Sequence, residues 1–220
     1  MKKMTQEKLN ELLKAHENWL NFQDEKGNYK LLNLSNTCLR WLNLSNADLR
    51  FISLSNSDLS YANLRGANLN YTKLNKANLS NADLTFATLQ NVNLTYATLK
   101  YAKLRNSKLN KADLSHANLE DADLSYADLE DAFLYSTNLK NVDFFKPNLR
   151  AIKTDLTLYS FSILHYAAIA LKNRLIIGCK AYSWDHWLNN YEEIGKNSNF
   201  SDAEIKTAGK LIKFYSELVK

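Results

Sequence analysis

The residues able to carry catalysis are few and scattered. Four histidines (His16, His116, His165, His186) and two cysteines (Cys38, Cys179) are spread over 220 residues. None of them falls in a nucleophile elbow, a phosphate-cradling glycine-rich loop or the Cys/His spacing that a metal requires. Asp185 and His186 are neighbours in what reads as a helix, so their side chains diverge. His116, His165 and Cys179 stand alone, and two cysteines make no disulfide framework. The expectation is a protein that is not an enzyme and takes no cofactor or metal. Its chemistry must lie in charged and aromatic surface, and that surface depends on how the chain coils.

The coiling is written in a strict period. From Leu34 every fifth residue is leucine as far as Leu139, and Phe144 and Leu149 continue the series. Two places before each lies a second series, often alanine, as at Ala62, Ala67, Ala77, Ala82 and Ala87, with Thr, Ser, Val, Leu or Ile in most of the other slots. A helix repeats at 3.6 residues and a strand at 2, so a period of five would smear the leucines around either. A chain that turns a corner every five residues keeps them all inside. Four sides then make a coil of twenty residues. Twenty-four units give six coils, and at ~4.8 Å between strands the rod is roughly 29 Å long. Only five glycines and one proline occur, so these corners are not made by the usual turn residues.

Units such as ANLNY, ADLSY and ATLKY resemble the pentapeptide-repeat family, whose pattern is A(D/N)LXX. The resemblance covers about residues 30–150. It implies an all-β solenoid, a right-handed quadrilateral β-helix, with the leucine and the small residue before it facing inward. It also implies a binding role and a protein partner. Several members of the family bind DNA gyrase or related topoisomerases by imitating duplex DNA with an acidic rod. A topoisomerase, a nuclease or another nucleic-acid-processing enzyme is therefore the partner class that the resemblance implies.

Three regions are expected. Residues 1–29 form an N-terminal helical cap, 30–150 the solenoid and 151–220 an α+β capping or interaction module. In the first, Leu9, Leu12, Leu13, His16, Trp19 and Leu20 share one face of a helix over 5–21, with Thr5 as N-cap. In the last, residues 156–178 read as apolar strands or as a strand and a short helix. Two helices follow. Ser183 caps the one carrying Trp184, Trp187, Leu188 and Tyr191. Ser201 and Glu204 form a capping box opening the other, which aligns Ile205, Ala208, Ile212, Tyr215 and Val219. The run Leu175-Ile176-Ile177-Gly178-Cys179 before a Trp-bearing helix resembles a C-terminal segment of some bacterial and phage members of the family.

Charge argues against mimicry over the whole rod. Duplex DNA carries one charge per ~1.7 Å of axis, so a ~29 Å imitation wants on the order of 17 negative charges. Residues 31–150 hold eleven acids against thirteen bases. The acids do cluster: Asp113, Glu120, Asp121, Asp123, Asp128, Glu130 and Asp131 lie between Ala112 and Leu139 without a Lys or Arg. The coil before them is basic. Since residue n lies beside n+20, Lys100 should meet Glu120, Lys103 Asp123, Lys108 Asp128 and Lys111 Asp131. Glu120 should also meet Lys140, and Glu130 Arg150. The belt is thus expected to be an ion ladder that fixes register, with Asp113 and Asp121 left as the candidates for outward charge.

The same offset selects aromatic residues. Trp41 and Tyr61 fall in one column with Tyr101 two coils on, and Phe51 lies beside Tyr71 on the opposite side. Flanked by Arg40 and Arg50, these rings are candidate anchors for a partner protein, where aromatics and arginine dominate binding energy. The competing reading is that the rings cover corners and stack for stability.

No apolar stretch is long enough to cross a bilayer, and the N-terminus lacks the apolar core of a signal peptide, so a cytoplasmic protein with no membrane partner is expected. The net charge of +5 is spread thinly, which disfavours direct nucleic-acid binding through scattered basic and aromatic residues. That mode and a structural, self-associating role, with a homodimer formed through the C-terminal module, are the alternatives.

Overall fold

The computed structural model describes residues 1–21, 32–154, 159–163, 166–171, 174–177, 180–198 and 200–218. Its centre is a coil that returns on itself every twenty residues. Parallel β-bridges join n to n+20 at every fifth residue, from Asn33↔Ser53 to Phe133↔Lys153. The leucines from Leu34 to Leu149, with Phe144, form one continuous buried column, and the alanines from Ala62 to Ala132 pack beside them.

The corners explain the scarcity of glycine. Every fifth residue from Asn36 to Ala151 is left-handed, with φ between 50° and 67°, and Gly66 is the only glycine among them. The turn is closed by a backbone bond across it, as from Ala67 N to Leu64 O at 3.0 Å. A left-handed third residue is what such a turn requires. A left-handed L-residue costs roughly 1–2 kcal/mol, whereas burying one leucine contributes about 1.5–3 kcal/mol. Each five-residue unit therefore sustains its own corner.

The unit also accounts for every backbone N–H it contains. In residues 63–67, Asn63 N donates to Leu42 O at 3.0 Å and Leu64 N to Asp83 O at 2.7 Å. Gly66 N donates to Thr85 O at 2.9 Å, and Ala67 N closes the turn. The fifth donor, Arg65 N, has no backbone acceptor and bonds to Asn63 Oδ1 at 3.1 Å. That is the reason for Asn or Asp before the leucine. The same bond recurs at Asp48, Asp58, Asp83, Asp113, Asp123 and Asp128.

The first coil has an open edge, and the N-terminus covers it with three different chemistries. Strand β1 (Lys2–Lys3) pairs in parallel with β2 (Thr37–Cys38). Helix α1 (Gln6–Asn21) follows, with Lys8 N bonded to Thr5 Oγ1 at 3.3 Å as expected for the cap. The amide of Gln6 stands in for a peptide group: its Nε2 donates to Asn43 O at 2.9 Å and its Oε1 accepts from Asn43 N at 2.8 Å. Further along α1, His16 Nε2 lies 3.0 Å from Arg50 O. A carbonyl only accepts, so Nε2 carries the hydrogen. Leu9 is buried in the solenoid core, with Leu12 and Leu13 packed against it. The Trp19 side chain lies outside the described residues.

The apolar run after the solenoid resolves into strands. β3 (Tyr159–Ile163), β4 (Tyr166–Leu171), β5 (Arg174–Ile177) and β6 (Lys180–Ser183) form an antiparallel sheet in chain order. Helices α2 (Trp184–Asn197) and α3 (Asp202–Leu218) follow. Ser183 caps α2 by accepting from His186 N at 3.2 Å. The capping box is present: Ser201 N donates to Glu204 Oε2 at 2.7 Å and Glu204 N to Ser201 Oγ at 3.4 Å. Trp187 Nε1 donates to Leu175 O at 2.7 Å, tying α2 to β5. Ile205, Ala208 and Ile212 are buried; the Tyr215 side chain and Val219 lie outside the described residues. Close approach of the helices needs Gly195, where a Cβ would lie 2.6 Å from Ile205 Cγ1.

Candidate interaction surface

The corner residues point outward in four columns, each repeating at n+20. Trp41 stacks on Tyr61, with centroids 4.1 Å apart and planes 11° from parallel. Trp41 is 68% exposed and Tyr61 40%. Tyr101 occupies the same column, with Asn81 at the corner between. Two corners away around the coil, Phe51 stacks on Tyr71 at 5.2 Å and 5°. The structure thus forms both expected pairs and keeps them on separate corners.

The two flanking arginines are held within the chain. Arg50 makes a bidentate pair with Asp48, its Nη2 2.6 Å from Oδ2 and its Nε 2.9 Å from Oδ1. Burial raises the Asp48 carboxyl, but hydrogen bonds from the Arg50 guanidinium and backbone outweigh that and hold it below the usual range. Arg40 Nε lies 3.7 Å from Asp58 Oδ2, and the guanidinium sits over the Tyr61 ring at 6.0 Å.

The acidic belt differs from expectation in a way that the turn chemistry explains. Lys100 and Glu120 pair at 3.0 Å, Glu120 and Lys140 at 2.8 Å, and Glu130 and Arg150 at 3.4 Å. Hydrogen bonds from Lys140 and then Lys100 hold the Glu120 carboxyl below its usual range. Lys103 and Asp123 are β-bridge partners, as are Lys108 and Asp128, yet neither forms an ion pair among the described residues. These aspartates precede a leucine and are bent back onto their own turns, Asp123 Oδ1 accepting from Ser125 N and Asp128 Oδ1 from Glu130 N. Lys111 and Asp131, both at corners, do not pair either. In this belt the glutamates after the leucine close the ladder, while Asp123 and Asp128 before it serve the backbone.

The two candidates for outward charge both serve as hydrogen-bond acceptors. Asp113 is half-buried and accepts from Ser115 N at 3.0 Å. Asp121 accepts from Asn141 Nδ2 at 2.9 Å. Nor is His116 isolated: it stacks on Tyr96 at 4.6 Å and 8°, a pair that the n+20 offset would have found. His165 and Cys179 lie outside the described residues.

A second aromatic arrangement runs at n+21, outside the n+20 columns. Arg65 Cζ lies 4.9 Å from the Phe86 centroid and Arg105 Cζ 5.1 Å from that of Tyr126. In both cases the preceding corner, Gly66 or Asn106, offers no ring, and a guanidinium lies over the ring instead.

A concavity belongs to the cap. A groove of about 610 Å³ runs between α1 and the first coil, lined by Asn10, Leu13, Lys14 and Glu17 on one side and Leu44, Asn46 and Asp48 on the other. Contacts from Gln6 and His16 pin the helix near its two ends, and the gap opens between them. Among the described residues no group of His, Cys, Asp and Glu is placed to hold a metal ion. No described helix is long and apolar enough to cross a membrane.

Eight copies of the pentapeptide-repeat family model match the chain, over residues 33–70, 62–100, 72–110 and 102–141. The chain belongs to the pentapeptide-repeat family. The family fold is the right-handed quadrilateral β-helix, and the twenty-residue coil described above is its structural signature. No match was found among curated protein sequences. Among solved structures, the pentapeptide-repeat protein Rfr23 from the cyanobacterium Cyanothece 51142 is 33% identical, with a TM-score of 0.30. That alignment covers 50% of this chain and 60% of Rfr23, so the match spans less than two thirds of that protein. HetL, a pentapeptide-repeat protein involved in heterocyst differentiation regulation in Nostoc sp. strain PCC 7120, is 31% identical over 55% of this chain and 73% of its own, with a TM-score of 0.19. QnrB1, a plasmid-mediated fluoroquinolone resistance protein, is 20% identical over 56% of this chain and 81% of its own, with a TM-score of 0.30.

Proposed function

We propose that this pentapeptide-repeat protein is a non-enzymatic macromolecular binding protein of the cytoplasm, a rigid rod of six coils whose ring-bearing corners engage a partner protein. Residues 1–29 cap the rod, 30–150 form it, and 151–220 act as a capping or interaction module. The observation that carries the reading is the Trp41–Tyr61 stack, an indole left 68% exposed on a rigid corner. A ring already fixed in place loses little conformational entropy on binding, which is the character of an interface anchor. Arg40 and Tyr101 extend that corner, and Phe51, Tyr71 and Arg50 form a second one. The other candidates, Asp113 and Asp121, contribute through their turns and corners.

Kinship with family members that engage DNA-handling enzymes favours a partner such as a topoisomerase or nuclease. Mimicry of duplex DNA over the whole rod is not part of this reading, since eleven acids stand against thirteen bases in residues 31–150. The test is quantitative affinity capture from host extract with the wild-type chain and with Trp41→Ala/Tyr61→Ala. A partner held by the wild type and depleted at least about tenfold on the variant supports the proposal. Identical capture by both contradicts it.

A further inference from the structure

We propose that the corner carrying Phe86 and Tyr126 is a docking site for an acidic helical segment of a partner protein. The inference rests on the rod being a binding protein and assigns a surface and a ligand chemistry that the Trp41 corner does not supply.

The argument starts from two guanidiniums that are oriented but unspent. Arg65 and Arg105 are exposed and lie over Phe86 and Tyr126, at 4.9 and 5.1 Å from the ring centroids. Ring stacking uses the face of a guanidinium and leaves its edge donors available for bidentate bonds to a carboxylate. Neither side chain pairs with a carboxylate among the described residues, in contrast to Arg40 and Arg50. Asp143 feels the charge of Arg105 without forming a pair with it. Lys103 and Lys108 are exposed nearby and also lack an ion pair, because Asp123 and Asp128 are turned onto their own backbone. The local surface is therefore basic in its reach even though acids are present in its sequence.

Spacing selects the ligand. Arg65 and Arg105 are two coils apart, ~9.6 Å at ~4.8 Å per coil. Two carboxylates seven residues apart on an α-helix are about 10.5 Å apart along its axis. An apolar residue between them would rest on the Phe86 ring, which lies between the two forks. A nucleic-acid strand fits less well. It brings a charge every ~3.4 Å, much closer than the ~9.6 Å between the two forks.

The experiment uses the full chain and fluorescence anisotropy with three probes. The first is a helical peptide with glutamates at i and i+7 and leucine at i+4. The second has the same composition with the glutamates at i and i+2, and the third is oligothymidylate. The first should bind at least about tenfold more tightly than either of the others. Arg65→Gln/Arg105→Gln should weaken it at least about tenfold, and Arg65→Lys/Arg105→Lys should also weaken it, since an ammonium lacks the fork. Circular dichroism checks that the variants remain folded. Equal binding of the two peptides, no binding, indifference to the arginine substitutions or tighter binding of oligothymidylate would each overturn the inference. Peptide binding lost only in Trp41→Ala/Tyr61→Ala would overturn it while leaving the proposed function in place. Peptide binding at Arg65 and Arg105 together with unchanged capture by the Trp41 variant would do the reverse.

Discussion

His16 reaches from the N-terminal helix to the first coil, its Nε2 3.0 Å from the carbonyl oxygen of Arg50. The imidazole is buried, and that burial pushes its pKa below the ordinary 6.5. The backbone bond to Arg50 and the charge of Asp48 oppose the shift, and the charge of Arg50 adds to it.

Because the folded-state pKa is depressed, the neutral ring stabilises the fold fully above pH about 6.5, and that contribution is lost as pH falls from there through the folded value. Thermal melting should therefore show a decline between pH 7.5 and 5.5 that is smaller in His16→Gln. The substitution itself should cost on the order of 1 kcal/mol at pH 7.5 through the altered hydrogen bond. A pH profile identical in the two proteins would remove His16 from the account.

Asp123 and Asp128 are predicted to act as hydrogen-bond acceptors with their charge incidental, unlike Asp48 and Asp58, which also pair with Arg50 and Arg40. Asp123→Asn keeps the oxygen that accepts from Ser125 N and should be nearly neutral. Asp123→Ala strands that donor and should cost about 1–2 kcal/mol. Urea denaturation distinguishes them, and equal losses would point to charge instead.

Gly66 occupies a left-handed corner at φ 67°, and an added Cβ would meet the Asn46 side-chain oxygen. Gly66→Ala should therefore lower stability by about 1–2 kcal/mol. Asn46→Ser should recover the part due to crowding and leave the backbone part. Full recovery, or no initial loss, would contradict the corner geometry.

Core and corner should respond differently to truncation. Leu84 is completely buried, and Leu84→Ala should cost about 2–5 kcal/mol. Trp41→Ala, at an exposed corner, should cost about 1 kcal/mol or less through its lost stack. Chemical denaturation of the two variants under one condition makes the comparison.

How much of this was legible beforehand depended on whether a feature belonged to the backbone or to the reach of a side chain. A five-residue period specifies which residues enter the core, so the buried column from Leu34 to Leu149 followed directly, as did the Trp41–Tyr61 and Phe51–Tyr71 stacks at n+20. Lys103 and Asp123 are just as well registered by backbone, but the short aspartate arm is occupied by Ser125 N. Arg65 and Phe86 meet at n+21 because the guanidinium leans over the next coil. Offset arithmetic does not encode that lean. The run after the solenoid has no period, so nothing in it separated strand from helix; the pairings of β3, β4 and β5 supply what periodicity lacked.

The most direct test of the central claim is disulfide trapping between corners, with Cys38 and Cys179 first replaced by serine. Asn56 and Lys76 are one coil apart in a single corner column, where Cα atoms ~4.8 Å apart fall within disulfide range. Asn56→Cys/Lys76→Cys is predicted to cross-link readily on oxidation, while Asn56→Cys/Gly66→Cys, on opposite corners, is predicted not to. Cross-linking of the second pair, or its absence in the first, would contradict a twenty-residue coil.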